Sequence, residues 1–414
     1  MKRSIFSLLL VVFIDAAGIG ILFPILNNII MNTQVDFLQS QISLSQRHFY
    51  YGLVVAVFFL CWFFGATFIA KASDELGRKK ALVICLAGIF AGYGLTILAI
   101  KLKSLSLLIL GRVLGGLTAA SQPVAQAAII DLSDQHNKTK NLGLIMFAFS
   151  LGLVAGPLLG GFLSDEHLSL YFNNATPFYV ILVITLINLY LLRRHFSDSR
   201  QYQGKLKLNL VEMVTQFVPM FKLKQVRNLS LVFFIMQLAF NTFYVFIPVF
   251  LFQKYGFNTF KNSLMMLVLG LSMAVSTGYL VAKLQPCLGD RKSVAIGLIV
   301  MAVSLFLLIT INNAYVPYLL AIPAMLAFGL AYTSMLSLFS HSVDESRQGW
   351  VMGITVSLFT SGAALTSLFG GWLMTLDINA TMIVAISGFV VSLLLIAILH
   401  IDVSEQKTAY DSAK

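Results

Sequence analysis

Apolar segments long enough to cross a membrane as helices dominate the pattern of hydrophobic and polar positions along this chain. A helix rises about 1.5 Å per residue, so about 20 apolar residues span the hydrocarbon core of a bilayer. The twelve segments, called span one to span twelve below, fall at residues 5–30, 49–70, 81–100, 106–129, 142–163, 177–194, 228–251, 263–282, 293–311, 317–340, 350–373 and 380–400. The pattern therefore predicts an all-α membrane protein with twelve transmembrane helices.

One long polar break separates span six from span seven, at residues 195–227, and it is rich in Lys and Arg. It predicts two six-helix bundles, residues 1–194 and 228–400, joined by a cytoplasmic central loop. Residues 401–414 then form a cytoplasmic tail. Within the loop, we expect a short interfacial helix around residues 208–221.

Composition agrees with a membrane setting. The chain has 414 residues, of which 58% are hydrophobic and 11% charged, whereas soluble domains carry about 25% charged residues. The three cysteines lie at unrelated positions and indicate neither a disulfide framework nor a zinc site. No catalytic triad, paired catalytic carboxylates, Walker loop or metal-ligand cluster is visible in the sequence. We therefore expect no enzymatic activity, no cofactor and no metal.

Basic residues indicate the orientation. With the N-terminus inside, 22 of the 28 Lys and Arg residues lie in cytoplasmic segments, and the outer loops hold only Arg47, Lys101, Lys103, Lys254 and Lys261. Such a bias predicts cytoplasmic termini in a multi-pass protein of a bacterial inner membrane. The net charge of +11 then reflects topology and attraction to anionic lipid, not nucleic-acid binding.

The two halves of the chain share a register of glycines. Four glycines of span five recur 210 residues later in span eleven, in the pairs Gly143 and Gly353, Gly152 and Gly362, Gly160 and Gly370, and Gly161 and Gly371. Phe149 and Phe359, and Asp134 and Asp344, keep the same offset. The repeat indicates a duplicated six-span half, a plan that places a substrate site between the halves near mid-membrane.

Asp15 is the first candidate functional residue. It lies about ten residues into span one, which places its carboxylate ~15 Å deep, near the bilayer midplane. A charge there costs at least ~2.5 kcal/mol, so it usually faces a protein-lined cavity and has a function. We expect a protonation site; the alternative is an acid near a helix end that reaches headgroups. Gly18, Gly20 and Pro24 allow close approach and bending, or serve plain helix packing.

Arg112 is the second intramembrane charge. If span four begins near residue 106 on the outer face, Arg112 lies ~9 Å deep. It is a candidate fixed charge that tunes Asp15 or binds an anionic group, and the alternative is a side chain that snorkels outward. Gln122 and Gln126 lie on roughly the same helix face as Arg112, ten and fourteen residues after it and four residues from each other. They are candidate cavity-lining groups, or they form interhelical hydrogen bonds, and Pro123 between them can kink the helix.

Further polar residues are candidates for the substrate cavity. In span seven, Gln237, Asn241 and Tyr244 recur at helical spacing and form one polar stripe. Tyr332 of span ten is a weaker candidate. Asp131 ends span four on the inner face.

Four motifs, in order along the chain, resemble those of drug:proton antiporters of the major facilitator superfamily. They are the segment from Asp15 to Pro24, the loop from Ala70 to Lys80, the segment Gly111-Arg-Val-Leu-Gly-Gly116, and the segment Gly152-Leu-Val-Ala-Gly-Pro-Leu-Leu-Gly-Gly161. The N-terminal half is most similar to tetracycline efflux proteins. The resemblance implies that spans one, four, seven and ten line a central cavity between two bundles.

The resemblance also implies two structural devices. Asp74, Arg78 and Asp131 would form a cytoplasmic gate that holds the inner side shut; the alternative is that Arg78 and the lysines after it only fix topology. The span-five motif (Gly152, Gly156, Pro157, Gly160 and Gly161) would bend its helix and pack closely against the other half.

Departures from the family pattern limit the substrate assignment. Tetracycline exporters carry acids inside spans three and nine, and this chain has none there. The loop between spans eight and nine has Pro286 where an acid is usual. We expect a monomeric, proton-coupled exporter of a small amphipathic molecule. The alternatives are a major facilitator importer or facilitator of a metabolite or siderophore-like ligand, and a non-transporting membrane sensor.

Overall fold

Helices form all the regular structure in the described part of the chain. The computed structural model describes residues 2–132, 135–165, 168–198, 218–344 and 347–399. The helices are Lys2–Met31, Leu44–Leu76, Arg78–Leu102, Leu105–Leu117, Ser121–Leu132, Gln135–Leu163, Thr176–His195, Val218–Lys222, Lys224–Tyr255, Thr259–Val275, a π turn at Ser276–Leu280, Val281–Leu288, Asp290–Thr310, Val316–His341, Gln348–Leu376 and Ala380–Ile398.

The predicted all-α membrane fold is confirmed. Eleven stretches of the described residues are long and apolar enough to cross a membrane, and they carry spans one to four and six to twelve. Span five lies in the helix Gln135–Leu163, whose apolar stretch is Phe147–Leu163. Of the predicted interfacial helix, Val218–Lys222 is helical, and residues 208–217 lie outside the described residues.

Span four consists of two helices. Half-helix 4a (Leu105–Leu117) and half-helix 4b (Ser121–Leu132) are separated by a break at residues 118–120. In a continuous helix the ring of Pro123 would clash with the carbonyl four residues earlier, and Pro123 has no N–H to donate. In the first turn of half-helix 4b neither problem arises, because those N–H groups have no intrahelical acceptor. The predicted kink is therefore a full interruption.

The described residues form two compact units. Unit one holds residues from Met1–Asn209, Ile247–Leu267 and Ser367–Ile378, and unit two holds residues from Leu210–Phe246, Val268–Thr366 and Asn379–Lys414. The first unit thus contains the ends of spans seven and eleven and the beginning of span eight. The division of the chain at a central loop stays a prediction.

Glycines of span five pack against span one inside unit one. A Cβ placed on Gly156 would lie 2.4 Å from the carbonyl oxygen of Ala17, and one on Gly152 would lie 2.5 Å from that of Phe13. Gly160 also faces span one, at Ile21. The expectation that this motif packs against the other half is therefore corrected for these three glycines, because they are needed where two helices of one half nearly touch.

The last glycine of the motif packs differently. A Cβ on Gly161 would lie 2.5 Å from the Cβ atom of Ser263 in span eight. Its repeat partner Gly371, in span eleven, has equally little room, 2.5 Å from the carbonyl oxygen of His48 in span two. Both crossings lie within unit one, at the helix ends that the charge bias assigns to the outside. The repeated glycines therefore serve two equivalent helix crossings.

Candidate functional site

The carboxylate of Asp15 lies at the break in span four. The hydroxyl of Ser121 donates a hydrogen bond to Asp15 Oδ2, and the backbone N–H of Ser121 is directed at the same carboxylate. Ser121 is buried and is the first residue of half-helix 4b. Because Asp15 is in the middle part of the helix Lys2–Met31 and is held by a buried residue, the alternative of an acid at a helix end does not apply.

The break supplies hydrogen-bond donors that a continuous helix would not. The first N–H groups of a helix lack intrahelical acceptors, and the helix dipole places partial positive charge there. Both effects favour a carboxylate at this position. The backbone N–H of Ala120, in the break itself, donates to the carbonyl of Thr118 at 2.9 Å. Span one therefore provides an acceptor for the donors at the beginning of half-helix 4b.

Arg112 is enclosed by protein. Its side chain is 3% exposed, and Nη2 donates to the hydroxyl of Thr96 at 3.2 Å. The guanidinium carbon lies 5.7 Å from the ring centre of Phe58 and 5.9 Å from that of Tyr93, within the range of cation–π attraction. Among the described residues, Nε has no hydrogen-bond partner. The snorkelling alternative is therefore excluded for Arg112 in this conformation.

Tyr93 connects the surroundings of the two charges. Its hydroxyl oxygen lies only 1.5 Å from where a Cβ on Gly18 would be, one turn after Asp15. Tyr93 interacts electrostatically with both Asp15 and Arg112, yet no hydrogen bond or ion pair joins these two charges within the described part of the chain. The tuning of Asp15 by Arg112 therefore stays a prediction.

The two glutamines of span four lie on half-helix 4b and are partly exposed. The expected common face of Gln122, Gln126 and Arg112 assumed a continuous helix, and the break at residues 118–120 removes that relation. As cavity-lining groups, Gln122 and Gln126 stay a prediction.

The polar stripe of span seven belongs to unit two. Gln237 and Asn241 are buried, and Asn241 Nδ2 donates to the backbone carbonyl of Gln237 at 2.8 Å. The side-chain amide of Gln237 has no hydrogen-bond partner among the described residues. Tyr244 stacks on Phe240 with ring centres 5.5 Å apart. Gln237 is therefore the strongest candidate of this stripe for binding a polar ligand group.

An aromatic column joins spans seven and ten in unit two. Phe240 stacks on Phe328 with ring centres 3.6 Å apart, and Phe328 is followed by Tyr332 at 5.9 Å. Tyr332 then contacts Phe233 at 6.0 Å. The sequence pattern predicted Tyr244 and Tyr332 as candidates but not the phenylalanines. The available signal was the four-residue spacing of Phe240 to Tyr244 and of Phe328 to Tyr332.

Two of the three residues predicted for a cytoplasmic gate form an ion pair within unit one. Arg78 Nε lies 3.3 Å from Asp131 Oδ2, and Arg78 Nη1 donates to the hydroxyl of Ser73 at 2.6 Å. The side chains of Arg78 and Asp131 are 16% and 9% exposed, which limits screening by water. The side chain of Asp74 lies outside the described residues. Its part in the gate stays a prediction.

Unit two carries a related contact between an acid and a histidine. Asp290 directly follows Gly289, whose φ is +74°, at the junction of two helices. Asp290 Oδ2 accepts a hydrogen bond from the hydroxyl of Ser337 at 2.8 Å and lies 3.7 Å from His341 Nδ1 at the end of span ten. Here the acid lies at the junction of two helices and the histidine lies at a helix end. In unit one the arrangement is the opposite, because Arg78 lies at the junction and Asp131 at the helix end.

Comparisons with known proteins agree with this architecture. The profile of the Major Facilitator Superfamily matches residues 8–355. The class E tetracycline resistance protein of Escherichia coli is 26% identical over 97% of this chain and 96% of its own. The quinolone resistance protein NorA of Staphylococcus aureus is 24% identical, with 93% and 94% covered.

Two solved structures share the fold at low sequence identity. The crystal structure of a D-xylose–proton symporter superposes with a TM-score of 0.76 at 17% identity, over 95% of this chain and 97% of that one. The human organic anion transporter MFSD10 (TETRAN) gives a TM-score of 0.71 at 19% identity, over 95% and 99%.

Proposed function

This chain belongs to the Major Facilitator Superfamily, and from that premise we propose that it exports a small amphipathic molecule in exchange for protons. Membership makes it an integral, multi-pass membrane transporter of a small molecule and not an enzyme. Direction, proton coupling and substrate class are the parts that we propose.

The observation that carries the proposal is the carboxylate of Asp15 in the interior of span one. It accepts a hydrogen bond from the hydroxyl of Ser121 and forms no ion pair within the described residues. Because no cation among the described residues pairs with the carboxylate, Asp15 can both take up and release a proton. The free energy of this protonation changes when the surroundings of Asp15 change.

The proposed cycle follows from alternating exposure of one site. A substrate binds from the cytoplasm while Asp15 is ionised, and an outside proton displaces it after the site is exposed outward. This cycle requires only that the inward-facing and outward-facing states have comparable free energies. Differential binding of the proton and the substrate to the two states then shifts their populations. The ion pair of Arg78 and Asp131 would hold the inner side shut in the outward-facing state.

The substrate class is argued from polar and aromatic groups together. The unpartnered amide of Gln237 can bind a polar group, and the aromatic column offers stacking surfaces. Two relatives are named for resistance to tetracycline and to quinolones. Tetracycline is not proposed here, because the acids of spans three and nine that accompany it in the family are missing.

The setting is also part of the proposal. The bias of basic residues supports cytoplasmic termini and a bacterial inner membrane, with anionic lipid beside the inner loops. We propose a monomer, since each family member is expected to enclose its own cavity.

Ligand-triggered proton release tests the coupling. Purified protein in weakly buffered detergent solution is mixed with a panel of amphipathic molecules, selected by whether they raise its thermal midpoint. We expect binding to release protons from the wild type and none from Asp15→Asn, which keeps side-chain size without the acid. Equal release from both proteins would refute the assignment of Asp15.

The importer or facilitator alternative is separated by direction. Vesicles of both orientations are loaded with the ligand that the screen identifies, and flux is followed with and without a pH gradient. Export predicts accumulation in inside-out vesicles whose lumen is acidic. Accumulation only in right-side-out vesicles would favour import, and equilibration without a gradient would favour facilitation.

A further inference from the structure

The break in span four is unusual within this chain. Span ten also contains a proline, Pro323, yet its helix runs without interruption from Val316 to His341. Proline alone is therefore insufficient to break a span here. Something else stabilises the beginning of half-helix 4b at Ser121, in the interior of unit one.

The acceptor at this helix end comes from span one. A helix end buried without partners would leave donors unsatisfied at a cost of several kcal/mol in a membrane. Asp15 accepts from the hydroxyl of Ser121 and faces its backbone N–H. The carboxylate and the helix end therefore stabilise each other, and the break depends on the charge state of Asp15.

Within the described residues, no cation forms an ion pair with Asp15. Arg112 is bound to Thr96 and two aromatic rings. Cys85 and Tyr93 of span three interact electrostatically with Asp15, and neither is cationic. Dipoles and hydrogen bonds, not an ion pair, hold the ionised acid.

We propose that Ser121 is a positioning residue for proton coupling: with the beginning of half-helix 4b it holds the ionised Asp15, and protonation of Asp15 weakens the contact that keeps span four broken. This inference rests on the proposed function, since it takes Asp15 as the proton site. Half-helix 4b also carries Gln122, Gln126 and Asp131. A proton on Asp15 thereby affects candidate cavity groups and the gate through one rigid element.

Infrared titration of the Asp15 carboxyl tests the inference without a transport substrate. Full-length protein in lipid nanodiscs is titrated, and the carboxyl band absent from Asp15→Asn is assigned to Asp15. In Ser121→Ala the midpoint of this band should move to higher pH by about one unit, because the ionised form loses a charge-assisted hydrogen bond. Ser121→Thr, which keeps the hydroxyl, should titrate within a few tenths of a unit of wild type.

Ser392→Ala is the matched control, since it removes a buried serine hydroxyl from span twelve and should leave the midpoint unchanged. If Ser121→Ala does not fold, Ser121→Cys replaces it and should give a smaller rise, because a thiol is a weaker donor. An unchanged or lowered midpoint, or an equal rise in Ser121→Thr, overturns the inference.

The two proposals fail separately. Normal proton-coupled transport by Asp15→Asn removes the proposed function, whatever the infrared midpoints. An Asp15 band indifferent to Ser121 removes the positioning role, while loss of coupling in Asp15→Asn would stand.

Discussion

Gly18 lies where the hydroxyl group of Tyr93 meets span one, and its missing side chain makes that approach possible. A Cβ there would lie 1.5 Å from the hydroxyl oxygen and 2.7 Å from the ring carbon that bears it. We expect Gly18→Ala to lower the free energy of unfolding by roughly 1–3 kcal/mol through overpacking. Thermal unfolding in detergent measures the change.

The double variant supplies the control for this contact. Tyr93→Phe removes the clashing oxygen, so Gly18→Ala should cost less in that background than in the wild type. Equal costs in both backgrounds would show that the two residues do not interact.

Single residues were predictable from the sequence only where their chemistry is costly in a membrane. Asp15 and Arg112 stand out because any intramembrane charge is expensive. Ser121 and Tyr93 carry no such signal, because Ser and Tyr are tolerated in spans. Their importance comes from the register between helices, which hydropathy does not encode.

Helix crossings depend on which glycines meet a neighbour. Gly156→Ala would place its Cβ 2.4 Å from the carbonyl oxygen of Ala17, whereas a Cβ on Gly353 would meet no described atom within 4 Å beyond its own stretch of helix. We expect Gly156→Ala to destabilise by roughly 1–3 kcal/mol. Gly353→Ala should be neutral or stabilising by up to about 1 kcal/mol, since alanine is the better helix former.

The thermal midpoints of the two glycine variants, each compared with wild type, test whether Gly156 is needed for the crossing. Similar destabilisation by both substitutions would indicate a general loss of helix flexibility rather than a crossing between spans one and five. The sequence repeat alone would treat Gly152 and Gly362 as equivalents. They differ in the structure, because only Gly152 has backbone within 3 Å of a Cβ.

The elements themselves were predicted well, and their interruptions were not. The sequence predicted one continuous span at residues 106–129, but the structure has two half-helices there. Pro123 signalled a bend, but the position of the break depends on Asp15, which is distant in sequence.

At the scale of the whole molecule, Arg78 tests whether the inner ion pair controls cycling. We expect Arg78→Ala to slow transport by up to about fivefold with ligand affinity retained, because a partly exposed pair contributes up to ~1 kcal/mol. Initial rates and thermal-shift titrations separate the two quantities. Lys80→Ala, which removes an exposed charge from the first turn of the same helix, Arg78–Leu102, is the control. Lost binding, or an equal effect in the control, would contradict a gating role.

The number of spans and the fold follow from the sequence because every backbone polar group in lipid must be satisfied internally, which forces each long apolar run into a helix. The composition of unit one could not be predicted in this way. It gathers residues 247–267 and 367–378 with the N-terminal helices, through crossings such as Gly371 with His48 that no local pattern reveals.

Proton-driven transport in inside-out vesicles tests the central claim most directly. A pH gradient, acidic inside, is imposed on vesicles that contain wild type or Asp15→Asn at equal abundance, and accumulation of an identified ligand is recorded. Gradient-dependent accumulation by the wild type and none by Asp15→Asn is the predicted result. Accumulation by Asp15→Asn at the wild-type rate would contradict the account.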